Sequence, residues 1–343
     1  FIGRFEPFHN GHLSVSKQAL KQAKNLIILI GSADTPRTTK NPWSANERSV
    51  MIHSVLSDYS DRIIVKQLRD HSYNESYWIS SAQSLVTEAI RENGDDPKKA
   101  VVGMIGQKKD ASSYYLDEFP QWKLIDVQNT ETLSATDLRK YLFNAGHVKD
   151  HGAMMLLRGN VPKQVFSMLN TFRETEIFSQ LLKEYQFIEN YKKSWEDAPY
   201  PPTFVTVDAV VEHSGHVLLV RRRSEPGKGL WALPGGFIAQ NETIEESCIR
   251  ELREETRLKI PVPVLRGSIK EQKVFDHPGR SLRGRTITHA FHFVFSSGKL
   301  PPVKGSDETD KVRWVPLNEA LNMRQQLFED HPHILEYFLG RGH

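Results

Sequence analysis

Across residues 1–127 short apolar runs alternate with longer amphipathic stretches, and this rhythm narrows the fold more than any other feature of the chain. The runs are "FIG" at the start, "NLIILIG" (25–31), "RIIVKQL" (62–68), "AVVGMIG" (100–106) and "KLIDV" (123–127). Helical periodicity fills about 11–23, 45–57 and 77–92 between them. A strand without polar alternation is buried on both faces, and strands that alternate with helices form parallel crossover units. The first part therefore reads as an α/β doubly wound parallel sheet. Helices over about 134–145 and 162–183 would complete it. After the charged, proline-rich stretch "KKSWEDAPYPPT" (192–203) the texture changes. "FVTVDAVVEHSGHVLLVRRR" reads as two strands around a turn at His213-Ser214-Gly215, followed by a glycine pair, one highly charged helix and further runs such as "THAFHFVF". One domain is expected over 1–190, a linker over 191–203 and a second, α+β domain over 204–343.

Bulk properties agree with two ordinary cores. The chain has 343 residues, 38% apolar and 25% charged, enough for two globular domains. With 45 basic against 42 acidic residues, the net charge of +3 is too weak a field for nucleic acid or a membrane surface as partner. Any anion site must be local. The single cysteine, Cys248, excludes an internal disulfide framework, and no apolar run approaches the roughly 18 residues of a membrane span. A cytoplasmic protein is expected. The chain opens at Phe1, without a methionine, inside what reads as the end of a strand, so its first residues are expected to be missing.

"GRFEPFHNGH" (3–12) follows the first strand directly. In a doubly wound sheet that is where a helix N-terminus offers unpaired amides to an anion. His9 and His12, spaced i, i+3 at the helix start, share a face and can donate to phosphate oxygens, while Gly11 admits a phosphate chain to the backbone. Alone, such a pair reads as two exposed polar residues. The segment "LSATDLRK" (133–140) tips the reading the other way, because Ser134, Thr136 and Arg139 open a later helix and can hold the same anion from the opposite side.

These stretches resemble the HxGH nucleotidylyltransferases, and within them the archaeal-type nicotinamide mononucleotide (NMN) adenylyltransferases, with their G-R-F-x-P-F-H-x-G-H and late S-x-T-x-x-R signatures. "NPWSANERSVMI" (41–52) is similar to the family segment whose arginine, here Arg48, reaches the ATP phosphates. "YNESYW" (73–78) is similar to the stretch that contacts NMN, which makes Trp78 the candidate to stack on nicotinamide. Taken singly, Trp78 reads as a packing aromatic and Arg48 as a solvated helix residue. The resemblance covers about residues 1–145 and implies a Rossmann-like fold with Gly3, Arg4, Phe5, Gly11, Trp78, Ser134 and Thr136 binding substrate. It also implies adenylyl transfer from ATP to NMN with release of pyrophosphate. The attacking phosphate is already an anion, so catalysis would be positioning and charge stabilisation by His9, His12, Arg48 and Arg139, aided by Mg²⁺.

"GGFIAQNETIEESCIRELREETRL" resembles the Nudix box. Gly236, Glu242, Arg250, Glu251, Leu252, Glu254, Glu255 and Leu258 fall in register, and Arg257 departs from it where the pattern has glycine at a left-handed helix exit. Glu251, Glu254 and Glu255 at i, i+3 and i+4 crowd three carboxylates onto one helix face, an arrangement that wants Mg²⁺ or Mn²⁺. The alternative for such a charge run is a salt-bridged exposed helix. The resemblance implies metal binding by these three carboxylates, with Glu254 counted as catalytic. Arg250, grouped with the substrate-binding set, would orient a box carboxylate, and Glu242 would support the entry to the helix. "DHPGRSLRGRTITHAF" (276–291) is similar to a segment of the ADP-ribose pyrophosphatase branch, with Ser281 and Leu282 as departures. Arg221–Arg223 and Trp231 are candidate pyrophosphate and adenine contacts, or equally an exposed strand end.

Together the halves resemble the bifunctional NMN adenylyltransferase/Nudix hydrolases. That implies synthesis of NAD by one domain and Mg²⁺-dependent hydrolysis of ADP-ribose to AMP and ribose 5-phosphate by the other. The partners expected are small-molecule nucleotides, and a homo-oligomer stays compatible with the sequence. Rival readings are transfer to another phosphate such as phosphopantetheine, cleavage of NADH, and a metabolite-sensing regulatory second half. The intact carboxylates speak against the last.

Overall fold

The computed structural model describes residues 1–106, 115–127, 133–147, 151–295, 298–305 and 309–340. The chain forms two compact units, Phe1–Lys183 and Glu184–His343. The first contains β1 (Ile2–Gly3), α1 (Asn10–Gln22), β2 (Leu26–Ile30), α2 (Ala45–Val55), β3 (Ile63–Gln67), α3 (Glu75–Glu92), β4 (Gly103–Gly106), β5 (Lys123–Asp126), α4 (Ala135–His147), α5 (His151–Asn160), α6 (Lys163–Arg173) and the start of α7 (Glu176–Lys193). The strands are parallel, as their unbroken apolar runs require. They form two ladders among the described residues, β1-β2-β3 and β4-β5. Ile2, Leu29, Met104, Leu116 and Phe119 share one core with Ala82 and Val86 of α3. The single helix expected over 162–183 is two, α6 and α7. The break follows from Thr175, whose hydroxyl accepts the Phe178 N–H at 3.1 Å and starts a new helix.

Beyond the carboxyl ends of β1 and β2 the loops are gathered by one side chain. Arg48 in α2 is 1% exposed. Its Nη1 donates to the Arg4 and Gly31 carbonyls at 2.7 Å each, its Nη2 to the Ser32 carbonyl at 3.0 Å and its Nε to the Ser44 carbonyl at 3.3 Å. The same Nε lies 3.1 Å from Glu6 Oε1, while Glu6 Oε2 accepts the Trp43 N–H at 3.2 Å. Burial pushes the Glu6 carboxyl up to about 8, against the pull of Arg48, the Trp43 N–H and Arg139.

The second unit contains β6 (Thr203–His213), β7 (His216–Arg222), β8 (Trp231–Ala232), β9 (Gly235–Phe237), α8 (Ile244–Thr256), α9 (Val262–Gly267), β10 (Ile269–Phe275), β11 (Arg285–Phe295), β12 (Thr309–Pro316), α10 (Leu317–Ala320) and α11 (His331–Leu339). Its sheet runs β10-β11-β6-β7-β12, with β8 on β7 and β9 on β6. The long β11–β6 pair is parallel and the others antiparallel. Ser214 and Gly215, both at positive φ (48° and 71°), make the mirror-image two-residue turn that matches strand twist in the β6–β7 hairpin. The stretch read as a linker is bound into this unit. α7 continues to Lys193, and Tyr191 and Trp195 pack on Phe204 with ring centroids 5.6 and 5.4 Å apart. Glu184 accepts the Gly227 N–H at 3.1 Å, so the units divide inside α7. α8 buries Cys248, Ile249 and Leu252 against Val207, Ala209 and Phe291 of the sheet, which leaves its charged face free for chemistry. It exits through Arg257 at φ 52°, ψ 30°.

Two outcomes follow for stability. Removing Arg48 by Arg48→Met strips donors from four carbonyls and leaves Glu6 buried, so the first unit should lose about 3–5 kcal/mol in chemical denaturation. Arg257→Gly relieves the left-handed conformation of an exposed side chain and should stabilise the second unit by about 1 kcal/mol, seen as a higher denaturation midpoint.

Candidate active sites

In the first unit the helix start is built by the histidines themselves. The Gly11 N–H donates to His9 Nδ1 at 3.1 Å and the His9 N–H to His12 Nδ1 at 3.2 Å, a reciprocal cap. A ring nitrogen that accepts a backbone N–H carries no proton, which puts the proton of each ring on Nε2. The two imidazoles stack at 3.7 Å between centroids, 28° from parallel. They are thus paired neutral donors, pinned in orientation. Phe5 braces them, with its ring 4.8 Å from that of His12. Phe5 is buried at φ 57°, an unfavourable backbone for an aromatic residue and one that marks functional turns. Gly3 lies over this ring, where a Cβ would come within 2.9 Å of it. Of the residues expected to bind substrate here, Phe5 can offer only backbone, and the Gly11 N–H is already engaged.

Arg139 reaches the same loop from α4. It is buried, with Nη1 donating to the Glu6 carbonyl at 2.6 Å and Nη2 to Thr136 Oγ1 at 3.1 Å. Burial, then the neighbouring Arg4, lowers its guanidinium to about 10. Ser134 caps α4, exchanging hydrogen bonds with Asp137 at 2.7–3.3 Å. Arg4 makes one long contact, to Asn41 Oδ1 at 3.5 Å. Arg48, expected to reach the phosphates, instead turns its donors into the protein and holds the loops that carry Arg4 and Glu6. Trp78 is half-buried, packed on the core edge-on to Tyr115 at 6.1 Å and near Phe119 at 6.2 Å. The structure therefore brings Arg4, Arg48 and Arg139 together around Glu6, while His9 and His12 pair with each other at the start of α1. Glu6 was passed over in the sequence because it fills the variable position of its motif.

In the second unit the glycine pair is explained by close approach. A Cβ on Gly235 would sit 2.1 Å from the Val207 carbonyl, and one on Gly236 within 2.7 Å of the Glu251 carboxylate. Glu255 Oε2 accepts the Gly235 N–H at 3.0 Å. Arg250 organises the acidic face: Nε lies 3.0 and 2.9 Å from the Glu242 oxygens, and Nη1 donates to Glu251 at 2.7 Å and Glu254 at 3.1 Å. Its partners raise the guanidinium above its ordinary value, and Arg250 and Ser247 hold Glu242 low. Arg250 thus orients carboxylates, with Nη2 on the Phe237 carbonyl at 3.3 Å. Glu254 stands at the rim, its side chain 61% exposed. Among the described residues no three acidic, histidine or cysteine side chains are preassembled as a metal cage. The carboxylates are held by Arg250 and backbone, and hard oxygen donors of this kind fit Mg²⁺ or Mn²⁺.

Glu251 and Glu255 face a cavity of about 490 Å³ that Arg222, Arg223, Arg283, Phe237, Phe328 and Glu329 also line. Arg280, which with Asp208 and His331 also lines it, makes a bidentate pair with Asp330 at 2.8 and 2.9 Å. Asp208 accepts the Thr288 hydroxyl at 2.6 Å and lies 3.5 Å from His331 Nε2. Burial raises the Glu329 carboxyl, against Arg283 at 3.7 Å. Of the three adjacent arginines, Arg222 and Arg223 line the cavity, whereas Arg221 holds the Gly229 carbonyl at 3.0 Å. Trp231 lies beneath Arg313, 4.5 Å from its ring centroid. Arg280 and Arg283 lie in the segment 276–291 noted in the sequence; Glu329 and His331 carry no such signal, since their place here depends on separate stretches converging on the cavity.

Comparison with known proteins finds a match for each half of the chain. Residues 1–141 match the Cytidylyltransferase-like family and residues 202–338 the NUDIX domain family. The nicotinamide/nicotinic acid mononucleotide adenylyltransferase of Acinetobacter baylyi is 35% identical over 188 residues, 54% of this chain and 92% of that protein. The ADP-ribose pyrophosphatase of Methanocaldococcus jannaschii is 35% identical over 135 residues, 39% of this chain and 72% of that protein. The crystal structure of a bifunctional NMN adenylyltransferase/ADP-ribose pyrophosphatase from Francisella tularensis, complexed with AMP and a manganese ion, superposes with a TM-score of 0.88. It is 35% identical, covering 99% of this chain and 98% of that one. Both halves and their order along the chain are shared at that level, and the chain therefore belongs to the family of bifunctional NMN adenylyltransferase/ADP-ribose pyrophosphatases.

Proposed function

We propose that the first unit makes NAD by transferring the adenylyl group of ATP to NMN, and that the second hydrolyses ADP-ribose to AMP and ribose 5-phosphate. The stacked Nε2–H donors of His9 and His12 carry the first assignment. An NMN phosphate oxygen bonds to the α-phosphorus of ATP as the bond to the β-phosphate oxygen breaks, and charge gathers on the departing pyrophosphate. His9 and His12 donate hydrogen bonds to that charge while Arg4 and Arg139 supply the positive field. No group needs to remove a proton. Trp78 is assigned the nicotinamide face.

In the second unit the carboxylates of Glu251 and Glu255 beside a cavity lined by arginines carry the assignment. Glu251, Glu254 and Glu255 would hold Mg²⁺ or Mn²⁺, which would supply charge neutralisation and an activated water. Arg250 offsets the repulsion among the carboxylates, and Arg222 and Arg283 attract the pyrophosphate. The manganese ion and AMP in the Francisella structure support a divalent cation and an adenylate product. No helix among the described residues is long and apolar enough to cross a membrane, consistent with soluble nucleotide substrates. The purified protein should form NAD from ATP and NMN with Mg²⁺, and in a separate assay release AMP from ADP-ribose. Failure of either reaction removes that half of the assignment.

Two substitutions separate the sites. His12→Ala removes one oriented donor and should lower the turnover number of NAD synthesis by about 10²-fold or more, measured by steady-state kinetics. Glu251→Gln should reduce ADP-ribose hydrolysis by orders of magnitude at any Mg²⁺ concentration, while NAD synthesis by the same preparation continues at the wild-type rate.

A further inference from the structure

The turn that leads into α11 carries a carboxylate into the hydrolase cavity, apart from those of α8. The turn is pinned on both sides. The Phe328 N–H donates to the Trp231 carbonyl at 2.8 Å, and the His331 N–H to the Phe328 carbonyl at 3.1 Å. His331 Nδ1 accepts the Leu233 N–H at 2.8 Å. Phe328 is buried beneath Arg222, whose guanidinium lies 3.9 Å from its ring centroid. Between these anchors Glu329 takes φ 45°, a left-handed backbone that is unfavourable for a glutamate and persists where the surroundings enforce it. Its side chain lines the cavity and is 11% exposed.

Glu329 Oε1 lies 3.7 Å from Arg283 Nη2, near enough for attraction and too far for a hydrogen bond. Burial raises its carboxyl, with Arg283, Arg280 and a hydrogen bond from Ser281 pulling it down and Asp330 adding to the rise. Arg222 and Arg223 line the same cavity and suit a pyrophosphate. A phosphate oxygen would be repelled by Glu329, so the ligand group that meets it is a neutral donor. In ADP-ribose each phosphate bears a ribose, and a pyrophosphate held at Arg283 brings a sugar to Glu329. Two vicinal hydroxyls match the two oxygens of one carboxylate, the means by which acidic side chains hold the ribose of dinucleotides.

We propose that Glu329 is a specificity-determining residue of the hydrolase, accepting hydrogen bonds from the vicinal hydroxyls of a ribose while Arg283 holds the adjoining phosphate. This rests on the ADP-ribose hydrolase reading. A site built to receive a sugar hydroxyl rejects the analogue that lacks it, because the buried acceptor is then left unpaired. Glu329 thereby selects ribose over deoxyribose and takes no part in breaking the pyrophosphate bond.

The test measures inhibition constants against ADP-ribose hydrolysis, which report on the hydrolase site alone, for wild type, Glu329→Met and Glu329→Gln. Two pairs of inhibitors are compared, AMP with 2′-deoxy-AMP and ribose 5-phosphate with 2-deoxyribose 5-phosphate. The first pair reads the adenosine ribose and the second the terminal one. In wild type one pair should favour its hydroxyl-bearing member about tenfold, on the scale of one charge-assisted hydrogen bond. Glu329→Met, close in size but without an acceptor, should bring that ratio to within about twofold. Glu329→Gln, which keeps one acceptor oxygen, should give an intermediate ratio, and decides alone if Glu329→Met fails to fold. No preference in either wild-type pair would overturn the proposal. So would a preference that survives substitution, or a loss shared equally by both members of a pair, which would make Glu329 a structural partner of Arg283. If wild type leaves ADP-ribose intact, the hydrolase reading fails, and calorimetric affinities for the same four ligands in wild type and Glu329→Met still decide Glu329.

Discussion

The first unit depends on the pairing of Arg48 with Glu6. A doubly wound sheet delivers its strand ends to one edge but does not say how the loops leaving them should lie. Here one guanidinium binds the carbonyls after β1, after β2 and at the start of α2, while Glu6 holds the Trp43 amide and, through its own carbonyl, Arg139 of α4. Three segments far apart in sequence become one surface because a single planar donor group matches several acceptors at once. The desolvation of both charges is tolerated only because nearly all of their polar atoms are used.

Charge and hydrogen bonding are divided between different residues in that site. His9 and His12 stack too closely, at 3.7 Å, to carry two positive charges comfortably, and their Nδ1 atoms are occupied by backbone. They serve as oriented neutral donors. The positive charge nearby comes from arginines held at the loops. An arrangement of fixed donors and fixed charges costs no reorganisation when charge moves onto a departing pyrophosphate.

The second unit solves a like-charge problem by comparable means. The carboxylates of α8 would repel one another, and Arg250 spreads its donors over Glu242, Glu251 and Glu254 to offset that repulsion. Gly235 and Gly236 let β9 press against the Val207 carbonyl and the Glu251 carboxylate, which brings the acidic helix to the mouth of the cavity. The Arg280–Asp330 pair, with Asp208 and His331, forms the part of the cavity wall that Arg283 and Glu329 also line.

The parallel strands, the order of the two units, the paired histidines and the register of the acidic helix were all readable from local pattern, because periodicity and fixed spacing act over a few residues. So was the left-handed exit at Arg257, since the helix ends there whichever residue occupies it. The surroundings of Arg48, of Trp78 and of the residues read as a linker were decided by the tertiary structure. Arg48 became a loop clamp because the acceptors nearest to it are carbonyls from other segments. Trp78 packs on a core that β4 and the Tyr115–Phe119 stretch help to build, and Tyr191 and Trp195 fold back on Phe204. Glu6, Glu329 and His331 have no local signature. A charged side chain acquires its meaning from which others the fold brings within a few ångströms, and sequence spacing does not carry that distance.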